Sequence, residues 1–202
     1  MKKTTVRGRR PAGSGSREAV LEAARRQFLA DGYQSVTMRS IAAEAGVDAA
    51  LVSYYFGSKS ALFGEAMRLA VNPPAVVDEV LRGDPADLPQ RLLRALLTIW
   101  DDPETGGPLL TLVAAAGQDP ALARLLRELF EREMVARVAK ALGGDAAAKQ
   151  RAGFVAVLMG GLVFTRYVLQ IGPVASASID EVVEMLAPAL RAVLWPPAEA
   201  NG

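Results

Sequence analysis

The 202-residue sequence contains no cysteine and no histidine. The first absence excludes a disulfide framework and any thiolate metal site. The second removes the commonest general base and the commonest metal ligand. Strand patterning is also missing, since no segment sustains the apolar–polar alternation of a half-buried strand. A clean run of about 20 apolar residues, the length needed to cross a bilayer, is absent as well. The most apolar stretch, about 152–169, is interrupted by Arg166 and holds Gly160-Gly161 at its centre, so a buried helix is expected and no membrane contact. Met1-Lys2-Lys3 is followed by no apolar segment, which argues against a secretory signal and for a cytoplasmic protein. Acidic clusters are few: Asp101-Asp102 flanks a proline turn, and Glu131 and Glu133 fall on different faces of a helix. An enzyme is therefore not expected, and neither is a metal or a cofactor.

What the chain does have is apolar content enough for a core, 51% against 22% charged. Its net charge of +1 conceals an asymmetry. Positions 1–70 hold 11 basic and 6 acidic residues, while the remainder holds 12 and 16. A basic first third joined to an acidic remainder points to a nucleic-acid-binding end and a second module of different purpose. Residues 1–15 carry Lys2, Lys3, Arg7, Arg9 and Arg10 and no acid, as a flexible arm reaching DNA phosphates would.

Helical signals follow one another along the chain. Ser16 is placed to cap a first helix whose Val20, Leu21, Ala24 and Phe28 form one apolar face, with Gly32 as its stop. Thr37 caps a second helix, broken by Gly46. A third runs from about Asp48 to Phe56, and Ser58 caps a fourth through Leu62, Phe63, Met67 and Leu69. Asn72-Pro73-Pro74 stops that helix and sets a domain boundary near residue 70. Beyond it, spacing and breakers predict helices over about 86–101, 106–116, 120–142, 146–171 and 179–194. The expectation is an all-α fold of about nine helices: an arm at 1–15, a helix-turn-helix domain at 16–70 and a helical domain at 71–202.

The segment from Thr37 to Lys59 is the informative one. Two short helices joined by a Gly-containing turn form a helix-turn-helix. Ile41, Ala42 and Val47 would fix the angle between them, and Val52 and Phe56 would turn the third helix onto the core. The opposite face, with Asp48, Ala49, Ala50, Leu51, Ser53 and Tyr55, is then free to enter the major groove.

In order along the chain stand Val20, Leu21, Ala24, Phe28, Gly32-Tyr33, Thr37, Ile41-Ala42, Ala45-Gly46-Val47, Tyr54-Tyr55-Phe56, Ser58-Lys59 and Leu62-Phe63. On these residues the sequence resembles the TetR family, the tetracycline-repressor-like regulators, across about residues 17–65. Arg166-Tyr167 followed by Gly172-Pro173 resembles a feature of an actinobacterial subgroup. The resemblance implies a transcriptional repressor that binds a palindromic double-stranded DNA operator as a homodimer. It implies that Thr37 caps the second helix and touches a phosphate, and that Arg39 reaches a base edge. Ala49, Ala50 and Leu51 would present methyl groups to the groove, where thymine methyls lie. Ser53, Tyr54 and Tyr55 would donate hydroxyls to phosphates, and Lys59 would add a phosphate contact. Tyr55 stands where the family often has His. Asp48 would face phosphate unfavourably unless it accepts from a cytosine amine.

For the second module the expectation is dimerisation through the helices at 146–171 and 179–194, with a pocket for a small apolar effector. Met67, Trp100, Phe130, Met134, Phe154, Met159 and Tyr167 are the candidate lining. Arg166, in an apolar helix, needs a partner: either an anionic ligand or an acidic side chain. Two other readings stay open here. One is a DNA-binding protein without an effector, which would have a collapsed core between residues 90 and 170. The other is a small helical hydrolase.

Overall fold

The computed structural model describes residues 14–70 and 72–196. Among them there is no strand. The basic residues Lys2, Lys3, Arg7, Arg9 and Arg10 lie outside the described residues.

Helix α1 spans Ser14–Ser35 and bends at Gly32, where φ 81 and ψ 172 are non-helical. Ser16 sits inside α1 and does not cap it, because the helix begins two residues earlier. Helices α2 (Met38–Ala45) and α3 (Ala49–Phe56) follow at the expected places, while α4 (Lys59–Ala66) ends short of the expected Leu69 and ahead of Asn72-Pro73-Pro74, with Arg68 turned to φ 57. Gly46 and Gly57 close α2 and α3 with φ near +69 and +68, a backbone region that costs a side chain dearly and glycine little.

The expected stretches of the second module are all helical: α6 (Leu88–Asp101), α7 (Pro103–Ala116), α8 (Pro120–Leu129) running on into α9 (Ala136–Ala141), α10 (Ala146–Val163) and α12 (Ile179–Leu194). Two differences stand out. Asn72-Pro73-Pro74 opens a helix, α5 (Pro73–Leu81), as well as following one. Proline is favoured at the first helical position, where its missing N–H would be unbonded in any case. Likewise Gly172-Pro173 begins a short turn, α11 (Gly172–Ala175), and α10 ends earlier, through a wide π turn at Phe164–Val168. A second π turn, Phe130–Val135, joins α8 to α9.

The core is divided in two. One cluster gathers Val20, Ala24, Phe28 and Tyr33 of α1, Ile41 of α2, Val52 and Phe56 of α3, and Leu62 and Phe63 of α4. Phe28, Tyr33 and Phe63 meet there ring to ring at centroid distances of 5.3–5.7 Å. Leu122, Leu125 and Leu129 complete this cluster, so α8 packs with the N-terminal helices although it lies far along the chain. The other cluster joins α5, α6, α9, α10 and α12 through residues such as Val80, Leu92, Leu97, Val138, Val155, Leu162, Val183 and Leu190. The α8–α9 rod thus has one end in each cluster, and its π turn lies between them.

The rod Ala146–Val168 corrects one expectation. It is 23 residues long with mean hydropathy 1.3, long and apolar enough to cross a membrane, because helical structure continues past Val163 through the π turn. Only 28% of its most apolar window is buried. Ala148, Ala152, Val155, Leu162 and Arg166 face the protein, while Phe154, Val157, Leu158, Phe164 and Val168 are exposed.

Candidate nucleic-acid interface

The helix-turn-helix is held by caps that the sequence itself supplies. Thr37 Oγ1 accepts from the Ser40 amide at 3.0 Å, and Ser40 Oγ accepts from the Thr37 amide at 3.0 Å, a reciprocal capping box. Ser40 Oγ also reaches Gln27 Oε1 at 2.8 Å, which ties the start of α2 to α1. At the turn, the Val47 amide donates to the Ala42 carbonyl at 3.0 Å. Asp48 then caps α3: its Oδ1 accepts from the Ala50 amide at 2.7 Å. The negative charge at the positive end of α3 is stabilising, which gives Asp48 a role that the groove-facing reading left open. Ser58 caps α4 through the Ala61 amide at 3.1 Å.

With Val52 and Phe56 buried, the outermost ridge of α3 is Ala50 and Tyr54, four residues apart on one face. Tyr54 is 82% exposed. Ser53 is exposed beside them, and Leu51 and Ala49 are half-buried. Tyr55 turns back and packs against the N-terminal cluster, so Tyr54 takes the outward place that the sequence reading gave to Tyr55. The signal for this was present: Tyr54 lies four residues after Ala50, whereas Tyr55 lies three after the core residue Val52. Thr37 and Arg39 are exposed on α2, and Arg39 makes no ion pair among the described residues.

Lys59 behaves differently. Its ammonium lies 4.4 Å from the centroid of the Tyr33 ring and 3.5 Å from the Gln34 carbonyl. Burial pushes its pKa down; Arg132 adds to the shift, while Glu133 and Glu128 oppose it. It therefore rests against the junction of the two clusters instead of standing clear for a phosphate.

That junction holds a polar clasp to which no sequence signal points, since its partners lie far apart in the chain. Arg124 donates to the Ala30 carbonyl at 3.1 Å, Glu128 accepts from the Gln34 amide at 2.9 Å, and Arg132 donates to the Gln34 side chain at 2.7 Å. Two of these three partners, the Ala30 carbonyl and the Gln34 amide, are backbone groups beside the bend of α1 at Gly32. The Tyr33 hydroxyl donates to Glu133 at 3.0 Å, and Arg137 bridges Glu133 and Asp78. Burial first, and then the Glu133 charge, raises the Tyr33 phenol well above the ordinary tyrosine range.

The residues expected around an effector are spread out. Met67 packs on the N-terminal cluster, and Met134, Met159 and Tyr167 on the other. Trp100 stacks on Tyr167 with centroids 5.3 Å apart. Phe130 and Phe154 are about half exposed, at 50% and 53%. Arg166 is buried, and its partners are internal. It donates to the Val174 and Ala177 carbonyls at 2.6 and 2.8 Å and pairs with Asp101 at 3.3 Å. Tyr167 also donates to Asp101, at 2.8 Å. Of the two alternatives for Arg166, the acidic partner is the one in place. Two open depressions, of about 460 and 410 Å³, lie elsewhere. The first is lined by Gln90 and by α12 residues from Val183 to Ala192, with Trp195 beyond; the second lies between α1 and α2.

An all-α protein with a capped, solvent-facing helix-turn-helix and a second helical module is what this fold and site define. Residues 20–66 match the model of the tetR family of bacterial regulatory proteins, and residues 86–194 that of the tetracyclin repressor-like C-terminal domain. The chain belongs to the TetR family. The HTH-type transcriptional regulator BetI of Stenotrophomonas maltophilia is 33% identical over 121 residues, which is 57% of this chain and 62% of that protein. An uncharacterised HTH-type regulator of Mycobacterium bovis is 31% identical over 63% of this chain and 59% of its own length. The match thus spans about three fifths of these first curated relatives. BetI of Agrobacterium fabrum is 31% identical over 83% of this chain and 84% of its own. The crystal structure of a TetR-family regulator from Streptomyces coelicolor is similar at 33% identity, covering 93% of this chain and 98% of that one, with a TM-score of 0.48.

Proposed function

We propose that the protein is a sequence-specific transcriptional repressor that binds a palindromic operator as a homodimer and is released by a small apolar effector. The observation that carries this reading is the capped α2–α3 pair, which leaves Arg39, Ala50, Ser53 and Tyr54 exposed together on a rigid frame. One α-helix fits the major groove. In this reading Thr37 and Ser53 hold phosphates, Tyr54 reaches a phosphate with its hydroxyl while its ring faces the groove, Arg39 reads a base edge, and Ala49, Ala50 and Leu51 line the groove. Tyr55 and Lys59 contribute after turning outward on binding. The preference for repression over activation comes from the family, and the protein acts in the cytoplasm, at the nucleoid.

The apolar stripe Phe154, Val157, Leu158, Phe164 and Val168 supports a dimer through α10 and α12, as does Met185, 76% exposed on α12. A stripe of this size on a protein that works in water needs a cover. A second copy supplies one, and its two-fold symmetry matches a palindrome with recognition helices about 34–36 Å apart. The effector region is proposed at the α6–α9–α10 side, where Trp100, Met134, Met159 and Tyr167 pack. Phe130 and Phe154 join it only if they turn inward. Arg166 acts there as a positioning residue held by Asp101. Ligand would favour a dimer whose recognition helices are spaced wrongly for DNA.

The test is binding of the purified protein to the DNA flanking its own gene, across a salt series, with Arg39→Ala alongside. Sequence-specific binding that weakens with salt, with Arg39→Ala losing about 1–3 kcal/mol of discrimination at one position in each half-site, supports the reading. Equal weak binding to every duplex, there and in a selection from random DNA, refutes it.

A further inference from the structure

The recognition helix α3, Ala49–Phe56, carries no charged side chain and no amide side chain. That matters because base edges in the major groove are read by matching groups. Bidentate readout of guanine needs Arg or Lys, that of adenine needs Asn or Gln, and cytosine is read by a carboxylate. Among the described residues, two carboxylates and one amide of the motif and of α1 are already engaged. Asp48 is turned back onto its own helix by the Ala50 amide at 2.7 Å. Glu44 is held by Arg26 at 2.9 Å and by Gln27 at 2.5 Å. Gln27 in turn binds the Ser40 carbonyl at 3.1 Å, so its amide is not free for adenine. What remains on the outward ridge is the Ala50 methyl, the exposed ring of Tyr54 and, at the flanks, Leu51 and the Ser53 hydroxyl. A hydroxyl donates or accepts and discriminates little. Methyl and ring surfaces find one distinctive apolar partner in the groove, the C5-methyl of thymine. Arg39 on α2 is the exposed group of this motif able to grip guanine.

From this we infer the class of operator: each half-site is read chiefly through thymine methyl groups packed on Ala50, Leu51 and Tyr54, with one guanine read by Arg39. This rests on the reading of the protein as a sequence-specific DNA binder and deepens it. It predicts half-sites with two or more neighbouring T·A pairs, thymine on either strand, beside a single G·C pair.

Deoxyuridine in place of thymine tests it without altering the protein, because uracil keeps every hydrogen-bonding group and lacks only the methyl. The preferred duplex is first selected from random DNA with the full-length protein. Its affinity is then measured by fluorescence anisotropy with each thymine replaced in turn. Removing one packed methyl is expected to weaken binding about 4-fold, the equivalent of one buried CH₂ group. Ala50→Gly should weaken binding to the thymine duplex and blunt the effect of uracil at one position. Arg39→Ala should relax the preference at the guanine alone. Specific binding that is indifferent to uracil at every half-site position overturns this inference and leaves the regulator reading standing. So does a selected motif with no neighbouring T·A pairs. Failure to select any preferred sequence overturns both.

Discussion

Gly32→Ala puts the junction between the two clusters to the test. At φ 81 and ψ 172 the residue occupies backbone space that is essentially restricted to glycine, and holding another residue there costs on the order of 1–3 kcal/mol. The new Cβ would stand 2.8 Å from Glu128 Oε2, close enough to displace that carboxylate. Glu128 would then lose its bond to the Gln34 amide, worth about 1 kcal/mol in this partly exposed position. Alanine also restricts the unfolded chain, which returns roughly 0.5 kcal/mol. The net expectation is a loss of about 2 kcal/mol, or a Tm lower by about 4–8 °C for a chain of this size. Thermal unfolding followed by circular dichroism reads it. Within a Glu128→Ala background, where neither the clash nor the Gln34 bond exists, Gly32→Ala should cost only the part due to the backbone. A Tm unchanged by Gly32→Ala would refute the claim that the bend in α1 depends on glycine. No cost of Gly32→Ala in the Glu128→Ala background would refute the claim that backbone strain contributes.

Three further outcomes are expected. Leu125→Ala, at a site with no exposed surface among Phe28, Tyr33 and their neighbours, should cost about 2–5 kcal/mol and lower DNA affinity, although it lies in α8. Urea unfolding with operator binding as a second readout checks this, and intact DNA binding by a destabilised variant would contradict it. Asp48→Ala should cost about 1 kcal/mol through the lost cap and loosen the start of α3, whereas Asp48→Asn should retain most of the stability; urea midpoints of the two variants compare them. Stability should also fall in alkali. The folded state keeps the Tyr33 phenol protonated to higher pH than the unfolded chain does. Its contribution is therefore full below the ordinary tyrosine pKa of about 10 and declines as pH rises past it. Tyr33→Phe should flatten that decline, and an unchanged slope in urea midpoints between about pH 9 and 11 would count against the assignment.

Local physics made much of this protein legible in its sequence. The periodicity of Val20, Ala24 and Phe28, the caps Thr37 and Ser58 and the breaker Gly46 each act within one turn of chain, so the all-α fold and the helix-turn-helix follow from neighbouring residues alone. The family resemblance rests on the same short-range pattern. Asp48 belongs to that local class too: Asp before a helix is a capping signal, though its charge invites a groove-facing reading. Pro73-Pro74 shows where local reasoning stays two-sided, because proline both ends and begins helices. Decisions made between distant segments belong to the tertiary structure. Packing alone put Leu122, Leu125 and Leu129 of α8 into the core of the N-terminal helices. The same packing bent α1 at Gly32 against Glu128 and gave Arg166 its partner in Asp101. The reason is that helix periodicity says which face is apolar but not what covers it. That choice is made by shape, and by buried polar groups finding partners, across stretches of chain that periodicity does not connect.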